Sequence, residues 1–240
     1  MTNRFVCVFV FVLLLSMSHS FAAKPIDWKS FKLSADGVKE NFALACQNPR
    51  VKQSLASAVK MWQERIDNEK PKTHPAVEEL AAITYYKGED YTDINAYFRG
   101  LPFVSHEEAT VVALSKLICS GLNKMPESHR PKGNTYRGAW FTQEQIDSRY
   151  PVGSVVTEES FTSTSLAEHI AEQFAFNAEL PMRSVVFQIK HVSGVQISAY
   201  LNLDDVMEAE VLFLPGTRFR VESIEPYGGD WLTIKLVEVQ

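Results

Sequence analysis

Two carboxylates lie two residues apart at Met207-Glu208-Ala209-Glu210, directly before the apolar run Val211-Leu212-Phe213-Leu214 and the turn Pro215-Gly216. The apolar run reads as a buried strand, and residues i and i+2 of a strand project from one face. Glu208 and Glu210 are therefore expected to point together at whatever lies above the sheet. Like charges held that close disfavour mutual ionisation. Chemistry that uses such a pair includes stabilising a cationic sugar transition state while a proton is managed. The same spacing also decorates solvated strand edges, so the pair gains meaning only from other parts of a site.

Two such parts lie upstream. Thr135-Tyr136-Arg137-Gly138-Ala139-Trp140 places an arginine between an aromatic residue and a glycine on an expected strand. The planar guanidinium fork makes paired hydrogen bonds to phosphate oxygens, and Gly138 lets a ligand or another backbone approach closely. Phe98-Arg99-Gly100 carries the same signature. Arg99, however, ends a helix, where a cation complements the helix dipole, and it reads as structural. The second part is Ser160-Phe161-Thr162-Ser163-Thr164-Ser165. Serine and threonine before a helix are also ordinary N-caps. On the helix that follows, Phe174 and Phe176 are two apart and cannot share a face. Phe174 is expected to pack inward.

Aromatic-Arg-Gly, Ser-Thr-Ser and Glu-x-Glu, in that order, resemble the mono-ADP-ribosyltransferases of the Arg-Ser-Glu class. These include bacterial toxins that modify arginine and related animal ectoenzymes. The resemblance implies NAD as substrate, no metal, and an arginine-bearing target protein as acceptor. It assigns NAD binding to Arg137 with Tyr136 and Gly138. It gives Ser163 the task of orienting the Glu210 carboxylate and seating the nicotinamide ribose, while Thr164 and Ser165 brace the strands around the cleft. Phe176, or a residue of the 177–183 loop, would shelter the nicotinamide ring. Glu210 would stabilise the oxocarbenium ion left when the nicotinamide–ribose bond breaks. Glu208 would align the acceptor guanidinium and take its proton. Glutamate at that first position goes with arginine acceptors in the family, and glutamine with asparagine or glutamine acceptors. Tyr200, in the loop before the acidic pair, would face the target or pack within the loop. Two rival functions use the same chain: an NAD glycohydrolase with water as acceptor, and a non-catalytic secreted β-sandwich module presenting Trp28, Trp140 and Trp231.

These residues need a scaffold, and 240 residues suffice for one medium domain. The chain is 45% apolar and 22% charged, ordinary for a globular protein. A net charge of −5 and the lack of a long Lys/Arg block give no footprint for nucleic acid or for a membrane surface. Arg4, the apolar run Phe5–Leu15 and the small residues around Ala22 read as a secretory signal peptide over residues 1–22. That run is short of the ~20 residues a spanning helix needs. The mature protein is expected to be secreted and monomeric. Of three cysteines, Cys46 and Cys119 lie beyond the leader, either bridged or as two free thiols. The six histidines are scattered, with no metal-ligand spacing.

Helical periodicity runs from about Trp28 to Leu122. Starts are expected near Ser34 and near Pro75, and at a capping box Ser105–Glu108. Pro126–Gly133 shifts composition and marks a boundary near residue 130. Beyond it lie the expected strands 134–141, 154–157, 184–190, 210–214, 217–224 and 231–239, with one helix over 166–178. The expected architecture is α+β: a helical N-terminal lobe (23–130) packed on a C-terminal β-sandwich of short strands (131–240), one domain with the ADP-ribosyltransferase layout.

Overall fold

The computed structural model describes residues 26–88, 91–176, 179–197 and 209–240. Residues 1–22, expected from sequence to be a leader, lie outside the described residues, as do Tyr200 and Glu208.

The first half is helical: α1 (Ala35–Ala45), α2 (Pro49–Glu69), α3 (Val77–Lys87), α4 (Tyr91–Phe98) and α5 (Glu108–Lys124). Ser34 caps α1 by accepting from the Gly37 amide, and Asn48 caps α2 with Pro49 as its first residue. Val51, Leu55, Ala58 and Trp62 form the buried stripe of α2. Val51 and Leu55 each contribute roughly 1.5–3 kcal/mol by leaving water. The Ser105 capping box does not form. Glu107 is the N-cap of α5 without a side-chain bond, because buried Asp93 takes the amides of Val104, Ser105 and His106. Cys46 and Cys119 are free thiols.

The second half contains β1 (Gly133–Thr142), α6 (Gln143–Arg149), β2 (Val155–Glu158), β3 (Thr162–Ser165) and α7 (Glu168–Ala175). It continues with β4 (Met182–His191), β5 (Val195–Gln196), β6 (Glu210–Phe213), β7 (Thr217–Gly228) and β8 (Trp231–Val239). The α+β class is as expected. The strands hydrogen-bond into one eight-stranded sheet of order β2-β7-β8-β4-β1-β3-β6-β5, among the described residues. The sandwich arises because this sheet folds over. β1 pairs with β4 along its whole length but with β3 only at Tyr136–Ser165. The rings of Phe213 on β6 and Phe219 on β7 lie 5.3 Å apart, although β8, β4, β1 and β3 separate those strands in the order. In a flat sheet five strand spacings would hold them roughly 24 Å apart.

β6 is buried on both faces. Val211 and Phe213 join the core between the two halves of the sheet. Leu212 and Leu214 join the core of the helical lobe, together with Val195, Ile197 and Phe161. By the two-residue period Glu210 shares the face of Leu212, toward the helices.

Candidate active site

Three strands bring the chemistry together. Arg137 projects from β1, and its Nη1 donates to the carbonyl of Ser163 at 2.8 Å. Ser163 lies on β3, opposite Leu212 of β6. Its hydroxyl donates to Glu210 Oε1 at 2.6 Å. Thr164 donates its hydroxyl to the carbonyl of Val211 at 2.8 Å, bracing β3 against β6. Ser165 pairs in register with Glu210, and its hydroxyl accepts from the Ala167 amide at the entry to α7. Arg137 and Glu210 are thus both tied to Ser163, the arginine to its backbone carbonyl and the acid to its hydroxyl.

Glu210 is only 7% exposed. Its other oxygen, Oε2, stands 3.9 Å from Nζ of Lys87, the last residue of α3. Tyr86 sits beside it in the helical wall. Burial pushes the Tyr86 phenol well above its ordinary value. The Asn95 hydrogen bond and the charges of Arg137 and Arg99 oppose that push, and the Glu210 charge adds to it. The phenol therefore stays neutral at any working pH.

Arg99 stands near enough to Arg137 to feel its charge. Both line a cavity with Arg149, Glu158, Phe161 and Thr162. Burial, then the repulsion of Arg137, holds the Arg99 guanidinium below its usual value. A helix-terminal arginine, read from sequence as a partner of the helix dipole, thus shares a cavity with Arg137. Arg149 is paired with Glu158 at 2.8 Å.

Tyr136 and Gly138 flank Arg137 and occupy the opposite face of β1. Tyr136 packs with Ala171, Ala175 and Val186. A Cβ on Gly138 would fall 1.9 Å from the Ala171 carbonyl oxygen. The close approach that this glycine permits is therefore that of the α7 backbone. Phe174 is 52% exposed and does not pack inward, since the eight-residue helix buries Ala171 and Ala175 against the sheet instead. Phe176, 61% exposed, follows α7 and lies against Trp231, ring centroids 6.5 Å apart.

The expected strand placing Glu208 and Glu210 on one face is described only from Glu210 onward. β6 begins at Glu210, and Ala209 before it takes φ 43°, outside extended geometry. Lys87 and Tyr86 were missed because sequence marks them only as the end of a helix.

Comparison with known proteins decides the family. A model of the NAD:arginine ADP-ribosyltransferases matches residues 30–240. The chain belongs to this family. Among named relatives, the putative NAD(+)–arginine ADP-ribosyltransferase Vis of Vibrio splendidus is 34% identical over 113 residues, 46% of this chain and 43% of that protein. Tre1 of Pseudomonas putida, an NAD(+)–protein-arginine ADP-ribosyltransferase, is 36% identical over 138 residues, 57% of this chain and 24% of that one. The chain thus spans under half the length of the named relatives it matches. In fold it is similar to the type III effector XopAI of Xanthomonas axonopodis pv. citri. The TM-score is 0.66 at 24% identity, over 88% of this chain and 86% of that one. It is also similar to Vis crystallised with agmatine, at TM-score 0.58 and 23% identity, over 90% and 91% of the two chains.

Proposed function

We propose that this protein transfers ADP-ribose from NAD to an arginine side chain of a target protein and releases nicotinamide. The observation that carries the reading is the short Ser163–Glu210 hydrogen bond held beside Arg137 in a chain of this family. Arg137, with Arg99 lining the same cavity, supplies fixed positive charge for the pyrophosphate. The bond from ribose C1 to the nicotinamide nitrogen breaks, and its electron pair leaves with nicotinamide. Glu210, held by Ser163, stabilises the oxocarbenium ion and the ribose 2′-hydroxyl beside it. A guanidine nitrogen of the acceptor then bonds to C1, and Glu208 takes the proton that this nitrogen loses. The agmatine bound to Vis, a guanidino compound, favours the same acceptor chemistry here.

We further propose that residues 1–22 direct export and that the protein acts as a toxin or effector. Supporting this are the apolar run Phe5–Leu15 and the description of a fold relative as a type III effector.

Nicotinamide release measured with and without agmatine tests the reaction. The proposal expects agmatine to gain an ADP-ribose, seen by mass, and Glu208→Gln to lose that product while NAD hydrolysis continues. Nicotinamide release with no labelled agmatine in the wild type would mean that water is the acceptor. No NAD turnover at all would reject the enzyme reading.

A further inference from the structure

The Glu210 carboxylate is nearly enclosed, and enclosure alone disfavours its charged form. Ser163 donates a short hydrogen bond to Oε1. Oε2 faces an ammonium from the other lobe: Lys87 Nζ at 3.9 Å, on a side chain only 13% exposed. That distance exceeds hydrogen-bond range, so the lysine acts on Oε2 as a charge. α3 ends at Lys87, where a cation also suits the helix dipole. The other groups facing this corner are Tyr86 from α3, Arg99 beyond α4 and Arg137 from β1. Tyr86 stays neutral, Arg137 donates to the Ser163 carbonyl, and Arg99 lies on the cavity wall with Glu158.

We infer that Lys87 is a positioning residue for Glu210: its buried ammonium keeps the carboxylate ionised and fixed in the rotamer that Ser163 grips. The inference rests on the transferase reading only where Glu210 is called catalytic. The ion pair itself crosses between lobes, so the last turn of α3 sets the state of an acid on β6. Lys87 would not touch NAD. It would act through the fraction of molecules whose Glu210 is charged.

The test is the titration of Glu210 by carbon NMR on protein labelled at the glutamate carboxyl, assigned by the signal missing in Glu210→Gln. Lys87→Gln is expected to raise the pH at which Glu210 titrates by about one unit or more, the usual effect of losing an opposite charge at this range. Lys87→Arg should restore most of it. In parallel, the acid limb of NAD turnover in Lys87→Gln should move up by the same amount. KM for NAD should stay within about twofold, because the lost interaction is not one with NAD. Identical Glu210 titration in wild type and Lys87→Gln would overturn the inference. So would unfolding of both Lys87→Gln and Lys87→Met, since the lysine would then serve the core alone. A wild type without NAD turnover would defeat the transferase reading while the titration still decided the pair.

Discussion

Two buried glutamates in this molecule have the same kinds of partner and different surroundings. Glu79, on α3, is fully buried. It accepts from the hydroxyl of Ser120, from Lys124 Nζ at 2.6 Å and from the Ala76 amide at 2.9 Å. Those bonds close the first turn of α3 and tie it to α5. Glu210 also has a serine and a lysine. Its serine is equally close at 2.6 Å, but its lysine stands off at 3.9 Å, and the residues around it line the boundary between lobes. Residue type and burial therefore do not separate Glu79, which ties helices together, from Glu210, the acid proposed to react. What sets Glu210 apart is its place: Ser163 of its own half grips one oxygen, while Lys87 of the helical half stands 3.9 Å from the other.

The largest expected effect breaks the comparison on the Glu210 side. Glu210→Gln should lower NAD turnover by roughly a hundred- to a thousandfold, as removal of a transition-state charge partner does, with little change in melting temperature. A comparable activity in that variant would remove Glu210 from the chemistry. On the other side, Glu79→Ala should cost about 3 kcal/mol of stability by leaving Lys124 and Ser120 without their partner. Denaturant unfolding would read it, and the molecules that remain folded should turn over NAD normally. Gly138→Ala should cost about 2 kcal/mol, because the added methyl meets the α7 backbone rather than a flexible side chain. A melting temperature unchanged by it would mean that α7 shifts freely off β1. The smallest effect sharpens the contrast with a matched pair. Ser163→Ala should lower turnover about tenfold, the worth of one hydrogen bond to a charged group, and barely touch stability. Ser120→Ala should do the reverse.

Much of this was legible in the chain because the signals were local. Ser34, Asn48 and the stripe from Val51 to Trp62 follow capping and periodicity rules, and the alternation from Thr217 and from Trp231 marks β7 and β8. Arg137, Ser163 and Glu210 were found through motif order, and they meet. α6 was not foreseen, although Thr142 and Gln145 form a capping box that the sequence contains. β3 reads as a helix lead-in because serine and threonine suit both caps and strands. The Ser105 cap failed because Asp93, remote in sequence, took the same amides. Lys87 and Arg99 could not be assigned to the site from sequence. Each ends a helix, and only the packing of that helix on the folded sheet points it at Glu210 or beside Arg137. The fold-over itself depends on a single pairing between β1 and β3, which no local pattern encodes.

The most direct test of the account is a crystal structure of the Glu210→Gln variant soaked with NAD. It should show the pyrophosphate on Arg137 and the 2′-hydroxyl of the nicotinamide ribose within hydrogen-bond distance of residue 210, beside Ser163. A dinucleotide bound away from Arg137 and Ser163, with residue 210 touching neither ribose, would contradict it.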